Sequence, residues 1–303
     1  MTKAKLPKVR ISARSFQLAF CLMLGLTVSF SVSAQYHSLC WRISGHDLRQ
    51  PSYIYGTMHV SDKRVFNFSP KVMKAFEGAK AYAMELDPDK AMSPSVLTSM
   101  MMTDGKTIRQ LIPDSDYRFV DSLIKQSTGF GLALFEKMEP ILISALLEES
   151  SMGMSISDTT NMSDEMDLYF YKKAKKLKKK QIGIETVDEQ IAALHSLSYE
   201  EQAKQLTETI ADIKKSNGGD VDLLKYYIAQ DLDSLLVFSD ESQMPAKFYK
   251  ALVTDRNIIM ADRIDGFIQK QPTFVAVGAL HLPGKEGVIA LLRKKGYTVE
   301  EWK

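Results

Sequence analysis

Two cysteines in 303 residues exclude a disulfide framework and any cysteine-built metal site. Cys21 lies in an apolar stretch near the N-terminus, so loss of that stretch leaves Cys40 alone, read as a buried strand residue beside Trp41. Other absences narrow the chemistry further. The chain has no Gly-x-Ser-x-Gly for a serine nucleophile, no His-Glu-x-x-His and no phosphate-cradling loop. It also lacks the Gly-x-Gly-x-x-Gly of a dinucleotide site. No charge of one sign dominates. The formal net charge is +2, and without Lys3, Lys5, Lys8, Arg10 and Arg14 the balance becomes 34 basic to 37 acidic residues. That balance excludes a global attraction to nucleic acid. Nothing in the composition points to disorder, collagen or a coiled coil.

The N-terminus has the order of a secretory signal. Its basic residues precede an apolar stretch over 16–30, then Val32-Ser33-Ala34 supplies a small-x-small cleavage site before Gln35. The stretch is short for a spanning helix, which makes an uncleaved anchor the lesser reading. Residues 1–34 are thus expected to be a signal peptide and 35–303 one domain, exported across the inner membrane to the periplasm, with no stable membrane span after cleavage. The 45% hydrophobic content suffices for a large core.

The pattern of the remaining chain is α/β: a central mixed β-sheet with flanking helices and a large helical middle region. Residues 39–44 and 52–58 read as strands joined at Gly45-His46-Asp47, and Ser69-Pro70 opens a helix. A strand over 79–86 ends in Glu85 and Asp87, stopped by Pro88. Residues 89–160 read as mostly helical, with Ile141, Ala145 and Leu146 on the apolar face. Residues 150–163 form an aperiodic connection, read alternatively as a lid. The next helix, from about Asp164, places Met166, Phe170, Ala174 and Leu177 on one face, with Asp167 as a dipole-stabilising acid. Its lysine-rich end over 172–180 is read as a solvated helix terminus rather than an anionic-surface patch. Residues 182–184 form a short strand, and Thr186-x-x-Glu189 is a capping box opening a helix. His195 falls in a helical context and reads as a boundary residue. Asp255-Arg256-Asn257 opens another helix, followed by a strand from Thr273 to Gly278 and a closing helix that ends at Gly296. Residues 297–302 form an edge strand.

Several strands stop at residues that carry chemistry. Tyr53-Ile-Tyr-Gly-Thr-Met-His59 and Phe274-Val-Ala-Val-Gly-Ala-Leu-His281 are both β-type runs ending in Gly-x-x-His. In open α/β sheets ligands sit beyond the carboxyl ends of strands. His59, Glu85, Glu185 and His281 are therefore pooled as one candidate site. Two imidazoles and a carboxylate make a three-ligand metal site with an open position, and a second carboxylate can take a proton. A glycine three residues before each histidine permits a close backbone approach.

In order along the chain, Leu39-Cys-Trp-Arg42, Tyr55-Gly-Thr-Met-His-Val-Ser-Asp62, Met84-Glu-Leu-Asp87, Met166-Asp-Leu-Tyr169, Gly183-Ile-Glu-Thr186, Arg256-Asn257 and Val277-Gly-Ala-Leu-His-Leu-Pro-Gly284 resemble the TraB/GumN family. That family is related to the Tiki metalloproteases and more distantly to the erythromycin-esterase-like group. The resemblance implies an α/β fold with paired Gly-x-x-His motifs at a divalent-metal site, and metal-dependent peptide cleavage in Tiki-type members. His59, Glu85 and His281 match the metal positions, and Glu185, Arg256 and Asn257 match the supporting polar ones. Asp255 stands where the family often has Glu. The metal implied is Mn²⁺ or Co²⁺, with Zn²⁺ as a further candidate. The expectation is a secreted metal-dependent hydrolase acting on a peptide or protein substrate, with no nucleic-acid partner. The alternatives are a non-enzymatic protein of the same fold that sequesters a peptide, and an esterase-type hydrolase of small molecules.

Overall fold

Parallel pairing of four strands sets the architecture. The structure, a computed structural model, describes residues 36–58, 62–91, 94–151, 166–216, 223–238 and 244–303. The expected signal peptide over 1–34, His59, and nearly all of the connection over 150–163 lie outside the described residues. Among the described residues the strands are β1 (Cys40–Ser44), β2 (Ser52–Thr57), β3 (Ala81–Met84), β4 (Lys180–Gly183), β5 (Thr273–Gly278) and β6 (Thr298–Glu301). They form one mixed sheet in the order β4-β3-β5-β2-β1-β6. β1 runs antiparallel to β2 and to β6, while β2, β5, β3 and β4 are mutually parallel. β5, late in the chain, inserts between the early strands β2 and β3. It is buried on both faces up to Gly278, as an apolar run in the middle of a parallel sheet must be.

Local chemistry accounts for the ends of these elements. Gly45, His46 and Asp47 all take positive φ in the β1–β2 turn. Helix α1 (Pro70–Gly78) starts where the Ser69 side chain accepts from the Val72 N–H at 3.2 Å, with proline at the position that needs no donor. Helices α2 (Asp114–Thr128), α3 (Pro140–Ser151) and α6 (Tyr199–Ser216) make a separate helical layer around Val120, Ile124, Ile143, Leu147, Leu206 and Ile210. The expected apolar face of α3 needs correction: Ile143 and Leu147 are buried, whereas Ala145 is exposed. Met101 lies outside the helices, in an isolated bridge to Met138.

Helix α4 (Met166–Lys176) buries Met166, Phe170 and Ala174. Phe170 packs at ring-centroid distances of 4.8 Å from Phe68 and 5.3 Å from Phe274, joining this helix to the sheet. Leu177 lies beyond the helix end and is exposed. Several lysines of this terminus have structural partners: Lys175 pairs with Asp89 at 3.0 Å, and Lys179 donates to the carbonyls of Glu77 and Ala79. Asp167 lies in the first turn of this helix, as expected, and is buried there. Cys40 is buried beside Trp41, and burial pushes its thiol up to about 12. No helix among the described residues is long and apolar enough to cross a membrane.

Candidate active site

Because β4, β3, β5 and β2 point the same way, the residues that follow them share one edge of the sheet. Glu185 follows β4, Glu85 follows β3, and His281 closes a 3-10 turn (Ala279–His281) directly after β5. The two remaining groups come from α7 (Asp255–Ile268), which buries Arg256 and Asn257. Helix α5 (Val187–Leu194) adds Gln190. It begins in the expected capping box: Thr186 N–H donates to Glu189 at 2.8 Å, and Glu189 N–H donates to the Thr186 hydroxyl at 3.3 Å.

Glu85 is the meeting point. Its Oε1 accepts from the Gly278 N–H at 2.6 Å, and its Oε2 accepts from Arg256 Nη2 at 2.9 Å. A Cβ on Gly278 would stand 3.2 Å from that same Oε1, so glycine lets the carboxylate settle onto the backbone. Glu185 is held more completely. Arg256 donates to it from Nε at 2.9 Å and from Nη2 at 2.7 Å, and Gln190 Nε2 donates at 3.2 Å. Its side chain has 0% exposure, against 20% for Glu85. Burial works against the charge of Arg256, but its hydrogen bonds and ion pairs with the two carboxylates outweigh this, and its pKa is raised.

His281 is oriented from the other side. Its Nδ1 lies 2.6 Å from Asn257 Oδ1, while Asn257 Nδ2 donates to the Glu286 carbonyl at 2.9 Å. The second bond turns the amide oxygen toward the ring, so Nδ1 carries the proton and Nε2 is the basic nitrogen. That Nε2 lies 3.9 Å from Glu85 Oε1. An imidazole nitrogen and a carboxylate oxygen, with the other ring nitrogen held by an amide, are donors suited to a divalent cation. Among the described residues no group of three His, Cys, Asp or Glu side chains could hold a metal ion. His59, the third expected ligand, is outside them.

The structure thus brings together Glu85, Glu185, Arg256, Asn257 and His281. One placement differs from expectation. Arg256 and Asn257 do not open a helix: the helical run begins at Ala246 and passes through a π-helical turn (Lys250–Thr254) before Asp255. Asp255 itself pairs with Lys250. Two contributors escaped the sequence reading. Gln190 bonds Glu185 with only its place in the first turns of a capped helix as a signal, and the Gly278 N–H binds Glu85 through backbone alone. His195 caps the end of α5, with Nε2 2.5 Å from Oε1 of the buried Glu139. It belongs with the helical layer, as a boundary residue.

Fold and site define an α/β protein with a polar cluster beyond the carboxyl ends of parallel strands, where such proteins bind ligands. The chain belongs to the TraB/PrgY/gumN family, whose sequence model matches residues 39–301. It is similar to metalloprotease TIKI2 of Danio rerio, with 25% identity over 317 residues covering 87% of this chain and 61% of that protein. Metalloprotease TIKI1 of Xenopus tropicalis is 26% identical over 319 residues, covering 88% and 62%. Metalloprotease TIKI2 of Xenopus tropicalis is 26% identical over 323 residues, covering 87% and 60%. The chain therefore spans about three-fifths of the length of these relatives. No solved structure matches it.

Proposed function

We propose that this chain is an exported, metal-dependent hydrolase that cleaves peptide bonds at the sheet edge. One observation carries the reading: His281, its tautomer held by Asn257, presents Nε2 at 3.9 Å from Glu85 where parallel strands end. The likeness to proteins named metalloproteases supports it. His281 and Glu85, joined by His59, would hold a divalent cation, with Mn²⁺ or Co²⁺ expected ahead of Zn²⁺. When bound, that cation supplies the Lewis acidity that polarises a peptide carbonyl and lets water attack near neutral pH.

The chain's own residues do the rest. Asn257 fixes the imidazole, and Arg256 holds Glu85 in place beside it. Glu185, a candidate proton acceptor by its strand-end position, has its side chain enclosed in the Arg256 fork, and we assign it to holding Arg256. In the overall reaction the water oxygen bonds to the carbonyl carbon, the C–N bond breaks, and a proton passes to the leaving amine.

The test is metal analysis of the mature protein together with a peptide-library assay, with and without Mn²⁺ or Co²⁺. His281→Ala should lose both bound metal and cleavage. Its stability change should stay within the ordinary range of about 0.5–3 kcal/mol. A wild-type protein that binds metal but cleaves no peptide would replace the reading with a ligand-sequestering one.

A further inference from the structure

A cavity of about 210 Å³ opens beside the site. Arg256 and His281 line it together with Tyr249, Leu252, Val253 and Leu280. Two local features create it. In the turn after β5, Ala279 and His281 are buried, which leaves Leu280 facing outward with 39% of its surface exposed. The π-helical turn adds a residue to the helix just before Arg256, and none of its five residues is buried. Leu252 and Val253 therefore remain partly exposed beside a histidine of the site. Such apolar surface gains little from folding and would gain by covering an apolar ligand.

Size and charge narrow the ligand. Small-molecule sites occupy about 300–1,000 Å³, so this cavity takes one side chain rather than a whole ligand. Among the described residues no carboxylate lines it to attract a cationic side chain, and the charge of Arg256 is already met by Glu85 and Glu185. We propose that the cavity is a specificity pocket that receives an apolar side chain, of the size of Leu, Met or Phe, from the substrate residue flanking the cleaved bond. This rests on the peptidase reading.

Two measurements test it and separate it from that reading. In the first, N-acetyl-leucinamide, N-acetyl-alaninamide and N-acetyl-lysinamide are titrated into the mature protein and followed by protein-observed NMR. The leucine probe should perturb Leu252, Val253 and Leu280 and bind at least about tenfold more tightly than the other two. Val253→Trp, which fills the cavity, should abolish this, and Val253→Ser, a smaller change that keeps the fold, should weaken it. In the second, peptides with Leu or Ala at the flanking position should differ by a similar factor in kcat/KM. Val253→Trp should erase that difference and Val253→Ser should reduce it, in both cases through KM. Absent or unselective binding, or a preference that survives in both variants, overturns the pocket. Selective leucine binding without any peptide cleavage keeps the pocket and removes the peptidase.

Discussion

At the residue scale, two carboxylates share one guanidinium in surroundings that separate their roles. Glu185 is wholly enclosed, whereas Glu85 keeps an exposed edge beside His281. Arg256→Met would strand both charges in a buried place. Removing one partner of such a network costs about 3–5 kcal/mol, measurable as a shift in denaturant midpoint at constant slope. A loss under about 1 kcal/mol would mean that the carboxylates find other partners. The Gln variants separate ligand from support. Glu85→Gln should lose metal affinity and turnover together, while Glu185→Gln should lose stability and keep its metal in equilibrium dialysis with Mn²⁺. If Glu185→Gln instead keeps stability and metal and loses about 10²–10⁴-fold in turnover, Glu185 is the general base. These residue types and their strand-end positions were legible in the sequence. Their pairing was not, since Arg256 is 171 positions from Glu85.

At the element scale, β2 and the turn after β5 touch through a glycine. A Cβ at Gly56 would stand 2.9 Å from Leu282 Cδ1 and 3.0 Å from the Ala279 Cα. Gly56→Ala should therefore push that turn away, destabilise the protein by about 1–3 kcal/mol, and weaken metal binding by moving His281. Unchanged unfolding and metal content would show that the contact relaxes freely. Element ends were legible because they are set by neighbours in sequence. Ser69, Thr186 and Gly296 act within a turn of their own helices. The buried face of α3 was not, because Pro-Ile-Leu-Ile-Ser-Ala-Leu-Leu is apolar nearly all round. Its packing against α6, rather than its own period, chooses Ile143 and Leu147.

At the scale of the whole molecule, acid should weaken the fold through a linkage near the site. Arg263 donates to both oxygens of Glu189 at 2.7 Å and to the Ile184 carbonyl at 2.7 Å, tying α7 to the start of α5. The guanidinium lowers the Glu189 carboxyl from 4.5 to about 2. A folded pKa below the unfolded one gives stability that is complete above about pH 4.5 and is lost as pH falls through about 2. The stability advantage of wild type over Glu189→Gln should therefore shrink between those values in denaturant titrations. A difference independent of pH would remove the pair from the account. Export is the other prediction at this scale. Protein recovered from an exporting host should begin at Gln35 by N-terminal sequencing, and an intact Met1–Ala34 in a membrane fraction would make the segment an anchor.

The sequence by itself determined the α/β class, the strand ends that carry Glu85, Glu185 and His281, and the capping of helices, because each depends on residues a few positions apart. Tertiary structure alone decided that β5 inserts between β2 and β3, which sets Gly278 beside Glu85 and brings Leu280 to the cleft. It also decided that Arg256 lies inside a continuous helical run, widened by a π-turn, rather than at a helix start. Strand order and helix register follow from packing between segments far apart in the chain, and no local pattern records which segment will be the neighbour.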